Sequence, residues 1–350
     1  MKKLTKVLSV LTIGTMIALT GCSSSQPASG NQAASNSNNA QSEAKPADSN
    51  KVPVKDQLYI EVSALGNLDY FYDHKLGMEA AGKALGVQTE YVGPAEYDMN
   101  AMITAFEQAI AKKPQGIVVV GFEDSLNPVV DKAVDAGIPV VTVDGDLPNT
   151  KRVAFVGTGN VQAGIKGGEE LARLIGEKGK VAIMTKPGQA NLEERIQGYK
   201  LAIAKYPDIE IVQIVDTQSD TNVAAQGAAS LLQKYPDLAG IACVEAAGGS
   251  GAATAVKEAG KEGKVKIVAM DRGNDVVQAI KDGVISATVA QQTALMPFYA
   301  TDILFNMYNN DIAITNDNAK AGVTGAPTMI DTGAVIVNQS NADQFLRTNQ

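Results

Sequence analysis

From Gln57 onward the hydrophobic positions fall into two alternating patterns. Short unbroken runs rich in Val and Ile predict strands over 58–62, 116–120, 139–143, 153–156, 180–184, 209–215, 240–244, 265–270 and 285–290. Between them, apolar residues three and four apart predict helices over 71–85, 100–111, 126–136, 161–175, 192–205, 223–233, 251–259 and 275–281. Gly86, Gly137 and Gly260 follow three of these helices and suit a left-handed C-cap. Unbroken apolar strands alternating with helices predict an α/β protein whose parallel sheets are covered on both faces. Roughly 290 residues of this pattern exceed what one core usually serves, and two lobes are expected.

The first 56 residues break the pattern. Lys2, Lys3 and Lys6 precede a mainly apolar stretch from Val7 to Leu19, which has the length of a signal-peptide core and is too short to span a bilayer as a helix. It ends in Leu19-Thr20-Gly21-Cys22. That ending resembles the lipobox of bacterial lipoproteins. The resemblance implies a signal peptide over 1–21 and Cys22 as first mature residue, its sulfur acylated on the extracytoplasmic face of the cell membrane. A chance cysteine behind an ordinary secretory signal is the alternative. Residues 22–56, rich in Ser, Asn, Gln and Ala, hold too little apolar surface to build a core and are expected to form a disordered tether. A flexible coil of that length reaches about 30 Å.

Composition narrows the chemistry. The formal charge is −8, and removal of residues 1–21 would take three lysines and no acid, so the chain becomes more acidic still. That argues against nucleic acid and against an electrostatic hold on anionic lipid. The second of the two cysteines, Cys243, lies in an apolar strand and reads as a small core residue. Trp is absent and His74 is the single histidine, which leaves little for a metal site or for histidine-based catalysis. His74 itself reads as a surface or capping residue. No metal and no cofactor are expected.

In open parallel sheets, ligands bind beyond the carboxyl ends of the strands. The polar residues there are Asn67 with Tyr70 and Phe71, then Phe122-Glu123-Asp124, Asp144-Gly145-Asp146, Glu245, Asp271-Arg272 and Gln291-Gln292; Arg195 lies early in a helix just past a strand. The set is rich in planar hydrogen-bonding groups and lacks a nucleophile–base pair. Carboxylates accept two bonds, a guanidinium donates several in a fixed plane, and Gln supplies both kinds. Such groups suit the vicinal hydroxyls of a polyol. Helix capping and turn formation are the alternative roles for each Asp, and packing of the first helix is the alternative for Tyr70 and Phe71. Glu245 has three readings: ligand contact, recognition of an amine, or a solvent-facing residue. Gly157-Thr158-Gly159 and Gly248-Gly249-Ser250-Gly251 fit neither a dinucleotide fingerprint nor a Walker loop and read as strand-to-helix turns.

Over 57–345 the chain resembles the type I periplasmic binding proteins of ABC sugar transporters, the ribose-binding-protein-like group. The resemblance rests on Tyr70-Phe71 with Gly77, on Val140-Val141-Thr142-Val143-Asp144, on Asn191 through Tyr199 around Arg195, on Ile267-Val268-Ala269-Met270-Asp271, and on Ser286 through Gln291. Tyr91-Val92-Gly93-Pro94 and Asp144 through Pro148 are closer to the rhamnose and furanosyl-autoinducer binders. The chain departs from the ribose pattern at Gly145, where an Arg is common, at Glu245, where Asn is usual, and near Ser219, where an aromatic is missing.

What this resemblance implies is a binding protein, not an enzyme, whose Tyr70, Phe71, Asp144, Arg195, Glu245, Asp271 and Gln291 line a cleft for a monosaccharide or related polyol. Its partner would be an ABC permease, and its state a monomer. The first lobe would hold 56–157 and 292–325, the second 158–291 and 326–350, with a three-segment hinge near Thr158, Gln291 and Gly325. A sensor feeding a membrane kinase or chemoreceptor would carry the same site. A repressor would need a helix-turn-helix where the lipobox and polar segment stand.

Overall fold

A computed structural model describes residues 51–310 and 312–347. Cys22, the signal segment and most of the expected tether lie outside the described residues. In chain order the elements are β1 (Leu58–Val62), α1 (Asp69–Leu85), β2 (Gln88–Val92), α2 (Met99–Ala111), β3 (Gly116–Val120), α3 (Asn127–Asp135), β4 (Val140–Val143), β5 (Ala154–Gly157) and α4 (Asn160–Leu174). They continue with β6 (Gly179–Thr185), α5 (Ala190–Ile203), β7 (Ile209–Asp216), α6 (Thr221–Lys234), β8 (Leu238–Cys243), α7 (Ala246–Glu258), β9 (Lys266–Met270), α8 (Asn274–Lys281) and β10 (Ala287–Gln291). The last are α9 (Leu295–Asn309), α10 (Asn318–Ala321), β11 (Met329–Asp331) and β12 (Ala334–Asn338).

The strands form two six-stranded sheets, ordered β11-β5-β4-β3-β1-β2 and β12-β10-β9-β8-β6-β7. Every pairing is parallel except that of β10 with β12. The first five strands of each sheet repeat one order, so β4 and β9 occupy equivalent places. The central strands are buried on both faces, as their unbroken apolar runs predict: β3 and β4 have no exposed residue. One core surrounds the first sheet, and two smaller clusters cover the faces of the second.

The chain passes between the sheets three times. β5 leads into α4 through Thr158 and Gly159. β10 leads into α9, which packs on α1 and across β3, β4 and β5. The third passage joins β11 to β12. The resemblance places it near Gly325, but Met329, Ile330 and Asp331 pair with Phe155, Val156 and Gly157 in the first sheet. The passage therefore lies at Thr332-Gly333, and residues 326–331 belong with the first sheet. A three-residue edge strand is too short to announce itself by pattern. The passages are laced together: the Thr332 amide donates to Gly157 O at 2.8 Å, Gln292 Nε2 donates to Thr332 O, and the amides of Gly159 and Gly333 each donate to Asp331 Oδ1 at 2.7 Å.

The folded body begins earlier than the expected tether end at 56. The Val52 amide donates to Tyr308 Oη at 3.0 Å, and buried Gln57 bonds to Val52 O and to Asn309 at the end of α9.

Candidate functional site

Asp144 follows β4 and Asp271 follows β9, at equivalent ends of the two sheets. Both take left-handed backbone conformations, with φ of 63° and 69°. The amide of each donates to the next strand, Asp144 to Val156 O at 3.2 Å and Asp271 to Val289 O at 2.9 Å. A branched or bulky side chain resists this conformation, whereas Asp tolerates it better. The turn after Asp144 is compressed: a Cβ on Gly145 would lie 2.4 Å from Gly121 O, so the residue after this aspartate has no room for a side chain. That accounts physically for glycine where ribose binders commonly carry arginine.

Tyr70, in the first turn of α1, donates its hydroxyl to Asp144 Oδ1 at 2.7 Å. Burial and then the charges of Asp144 and Asp271 push its pKa well up, against a smaller opposing effect of Arg195, so the phenol keeps its proton and acts as a donor. Phe71 lies behind it in the first core, 2% exposed, its ring edge-to-face with Tyr70 at 5.1 Å and with Phe122 at 6.0 Å. Phe71 therefore supports the aromatic wall from inside the core.

The second sheet supplies a chain of bonded side chains. Arg195 on α5 is 5% exposed and donates from Nε to Asn160 Oδ1 (2.9 Å), from Nη1 to Val244 O (3.0 Å) and from Nη2 to Gln291 Oε1 (3.1 Å). Gln291 Nε2 donates in turn to Asp271 Oδ1 at 2.8 Å. Helix packing sets this geometry. A Cβ on Gly164 of α4 would lie 2.1 Å from Arg195 O, and one on Gly198 of α5 would lie 2.2 Å from Val161 O. Glycine on both helices lets them approach until Asn160 meets the guanidinium.

Burial raises the Asp271 carboxyl to about 6; Arg195 and the Gln291 bond oppose this, while Asp144 and Glu245 add to it. Two acids thus share a buried site with one guanidinium.

Glu245 is engaged as the N-cap of α7. Its Oε2 accepts from the Ala247 amide at 2.9 Å, and its Oε1 accepts from the Gly248 amide at 3.0 Å and from Thr217 Oγ1 at 2.8 Å. A carboxylate therefore caps the start of α7, and Gly248, Gly249 and Gly251, expected in a strand-to-helix turn, lie within the helix itself. Asp146 is paired with Arg152 and accepts from Thr142 at 2.9 Å. Asn67 is exposed and donates to Glu96 at 3.2 Å.

His74 is not on the surface. It is fully buried, its Nδ1 2.7 Å from the equally buried Glu61 Oε1 on β1. Phe71, His74, Met78 and Ala81 form the inner face of α1, all buried, so helical spacing carries the ring inward. Burial alone would lower its pKa; the charge and hydrogen bond of Glu61 outweigh that and raise it. Asn160 was also not foreseen, because its turn offers only glycines as a signal. Cys243 is buried in β8 as a small core residue. Among the described residues no group of three His, Cys, Asp or Glu side chains is placed to hold a metal, and no helix is long and apolar enough to cross a membrane.

The arrangement offers fixed acceptors and donors in one buried place and suits a ligand bearing several hydroxyls. Comparison with known proteins agrees. The family model of the periplasmic binding protein domain matches residues 62–312. The D-allose-binding periplasmic protein of Escherichia coli (strain K12) is 34% identical over 237 residues, covering 64% of this chain and 76% of that protein. The solved structure of an arabinose-binding protein from Geobacillus stearothermophilus is 35% identical with a TM-score of 0.78, covering 83% of this chain and 99% of its own. A sugar-binding protein of a sugar ABC transporter from Bacillus halodurans is also 35% identical, with a TM-score of 0.79, covering 83% of this chain and 100% of its own. With its two matched α/β sheets and paired strand-end aspartates, the chain belongs to the type I periplasmic sugar-binding protein family.

Proposed function

We propose that this protein is an extracytoplasmic, lipid-anchored receptor that captures a monosaccharide or related polyol between two lobes and delivers it to an ABC importer. The two sheets are the cores of those lobes, and the three laced passages are the hinge about which they close. Asp144 and Tyr70 act from the first lobe; Arg195, Asp271 and Gln291 act from the second. Phe71 supports Tyr70, and Glu245 contributes its charge to the pocket while capping α7. The observation that carries this reading is the meeting of Tyr70–Asp144 with the Asn160–Arg195–Gln291–Asp271 chain. The relatives described above, which bind D-allose and arabinose, support the ligand class. Cys22 supplies the membrane attachment, and the acidic body works as a monomer that binds without turnover.

Calorimetric titration with D-allose, arabinose, ribose and xylitol tests the ligand class. At least one should bind in the micromolar range or tighter, unchanged when recovered, with about one ligand per chain. If none binds and none raises the melting temperature, the sugar-binding role is wrong for this chain.

A further inference from the structure

Asp73 stands one turn beyond Tyr70 on α1 and is 2% exposed. Its carboxylate gathers bonds from three distant segments. Arg272 Nη2 donates to Oδ2 at 2.6 Å, Arg347 Nη2 to the same oxygen at 2.7 Å, and Thr293 Oγ1 at 3.0 Å; Arg347 Nε reaches Oδ1 at 3.4 Å. Arg272 directly follows Asp271, and Thr293 lies two residues past Gln291. Arg347 is itself fixed to the second sheet's side. Its amide donates to Asn274 Oδ1 at 2.9 Å, Asn274 Nδ2 donates back to its carbonyl at 3.2 Å, and Phe345 and Leu346 just before it pack on a second-sheet core cluster. One buried carboxylate on a first-sheet helix is thus held by two guanidiniums from the second-sheet side.

The energetics favour a contact sensitive to lobe separation. Burial alone would raise the Asp73 pKa; Arg347 and Arg272 outweigh it and keep the group below the ordinary carboxylate range. Removing one partner from such a group leaves an uncompensated buried charge. The cluster is also next in sequence to Tyr70, Asp271 and Gln291, so its registration fixes theirs.

We propose that Asp73 is a positioning residue for ligand capture: by holding Arg272 and Arg347 against α1 it aligns the two halves of the pocket and prolongs the closed state. This rests on the two-lobe binding reading above. The test uses the full chain carrying Cys22→Ala, with fluorophores on Ser125→Cys and Asn222→Cys, exposed positions beyond the carboxyl ends of β3 and β7. Buried Cys243 stays unlabelled. In ligand-free protein, Asp73→Asn should shift the inter-dye distances toward longer values. With whichever of D-allose, arabinose, ribose or xylitol binds, it should speed dissociation about tenfold while association changes less than about twofold. Arg272→Gln, which keeps the Asp73–Arg347 pair, should act in the same direction more weakly and guards against misfolding of the first variant. A lowered melting temperature with unchanged distances and unchanged dissociation would overturn the proposal. If none of the sugars binds the parent chain, the ligand reading fails, and the ligand-free distances still decide the role of Asp73.

Discussion

Asp144 and Asp271 each hold a left-handed backbone conformation that costs on the order of 1–3 kcal/mol for a residue other than glycine. Two such residues stand at equivalent strand ends, and backbone strain of this kind clusters at functional sites. Their chemistry predicts a pH dependence. Burial holds the Asp271 carboxyl up at about 6, above its ordinary 3.8. Its contribution to folding is therefore fully present below about pH 3.8 and is lost as pH rises through about 6. Hydroxyls donating to the carboxylate favour the ionised form and lower that pKa in the complex. Sugar affinity should then rise several-fold between pH 5 and pH 7, with proton release visible in titrations run in buffers of different ionisation enthalpy. In Asp271→Asn the affinity should be lower and nearly flat over the same range; an unchanged pH profile would contradict the assignment. That Asp144 and Asp271 follow strands, Gln291 ends one and Arg195 lies early in a helix was legible from the apolar runs beside them. Glu245 occupies the same kind of position, and only the structure shows its oxygens spent on the amides of α7. The inward turn of His74 was contained in its spacing from Phe71, but Glu61 as its partner lies in another element.

At the scale of elements, the bonds of Arg195 depend on how closely helices approach. α4 and α5 meet at Gly164 and Gly198, where any Cβ would run into backbone at 2.1 to 2.2 Å. Backbone cannot yield as a flexible side chain does. Gly164→Val should lower stability by about 1–3 kcal/mol and displace Arg195 from Asn160 and Gln291. Thermal unfolding together with sugar titration checks this; a variant that loses stability while keeping full affinity would show that the approach does not position Arg195. The strands and helices with unbroken or strongly periodic patterns emerged from sequence within a few residues. Those that escaped have physical reasons. β2 is a half-exposed edge strand with Gln88 and Glu90 interrupting its apolar residues. β11 has three residues, and β12 is an antiparallel edge. α9 carries Pro297 in its first turn and buries a broad surface against α1 and three strands, which blurs the stripe.

For the whole molecule, duplication is the organising fact: two sheets of one strand order place one aspartate each where the chain passes repeatedly between them. The earlier start of the body, with Val52 and Gln57 fastened to the end of α9, lies at the amino end of β1, opposite the strand ends that carry Asp144 and Asp271. Anchoring and binding should therefore separate. Cys22→Ala should release the protein from the membrane fraction while sugar affinity stays within about twofold in the calorimeter, and a large loss of affinity would mean that the anchor takes part in binding. The two-lobe organisation was legible from length and alternation, whereas the true third passage was hidden by the brevity of β11. The central claim is that paired residues from both sheets grip one polyol. A crystal structure with the tightest-binding sugar tests it most directly. The account predicts hydroxyls bonded to Asp144, Arg195, Asp271 and Gln291, enclosed between the two sheets; a sugar held elsewhere, or touching only one sheet, would contradict it.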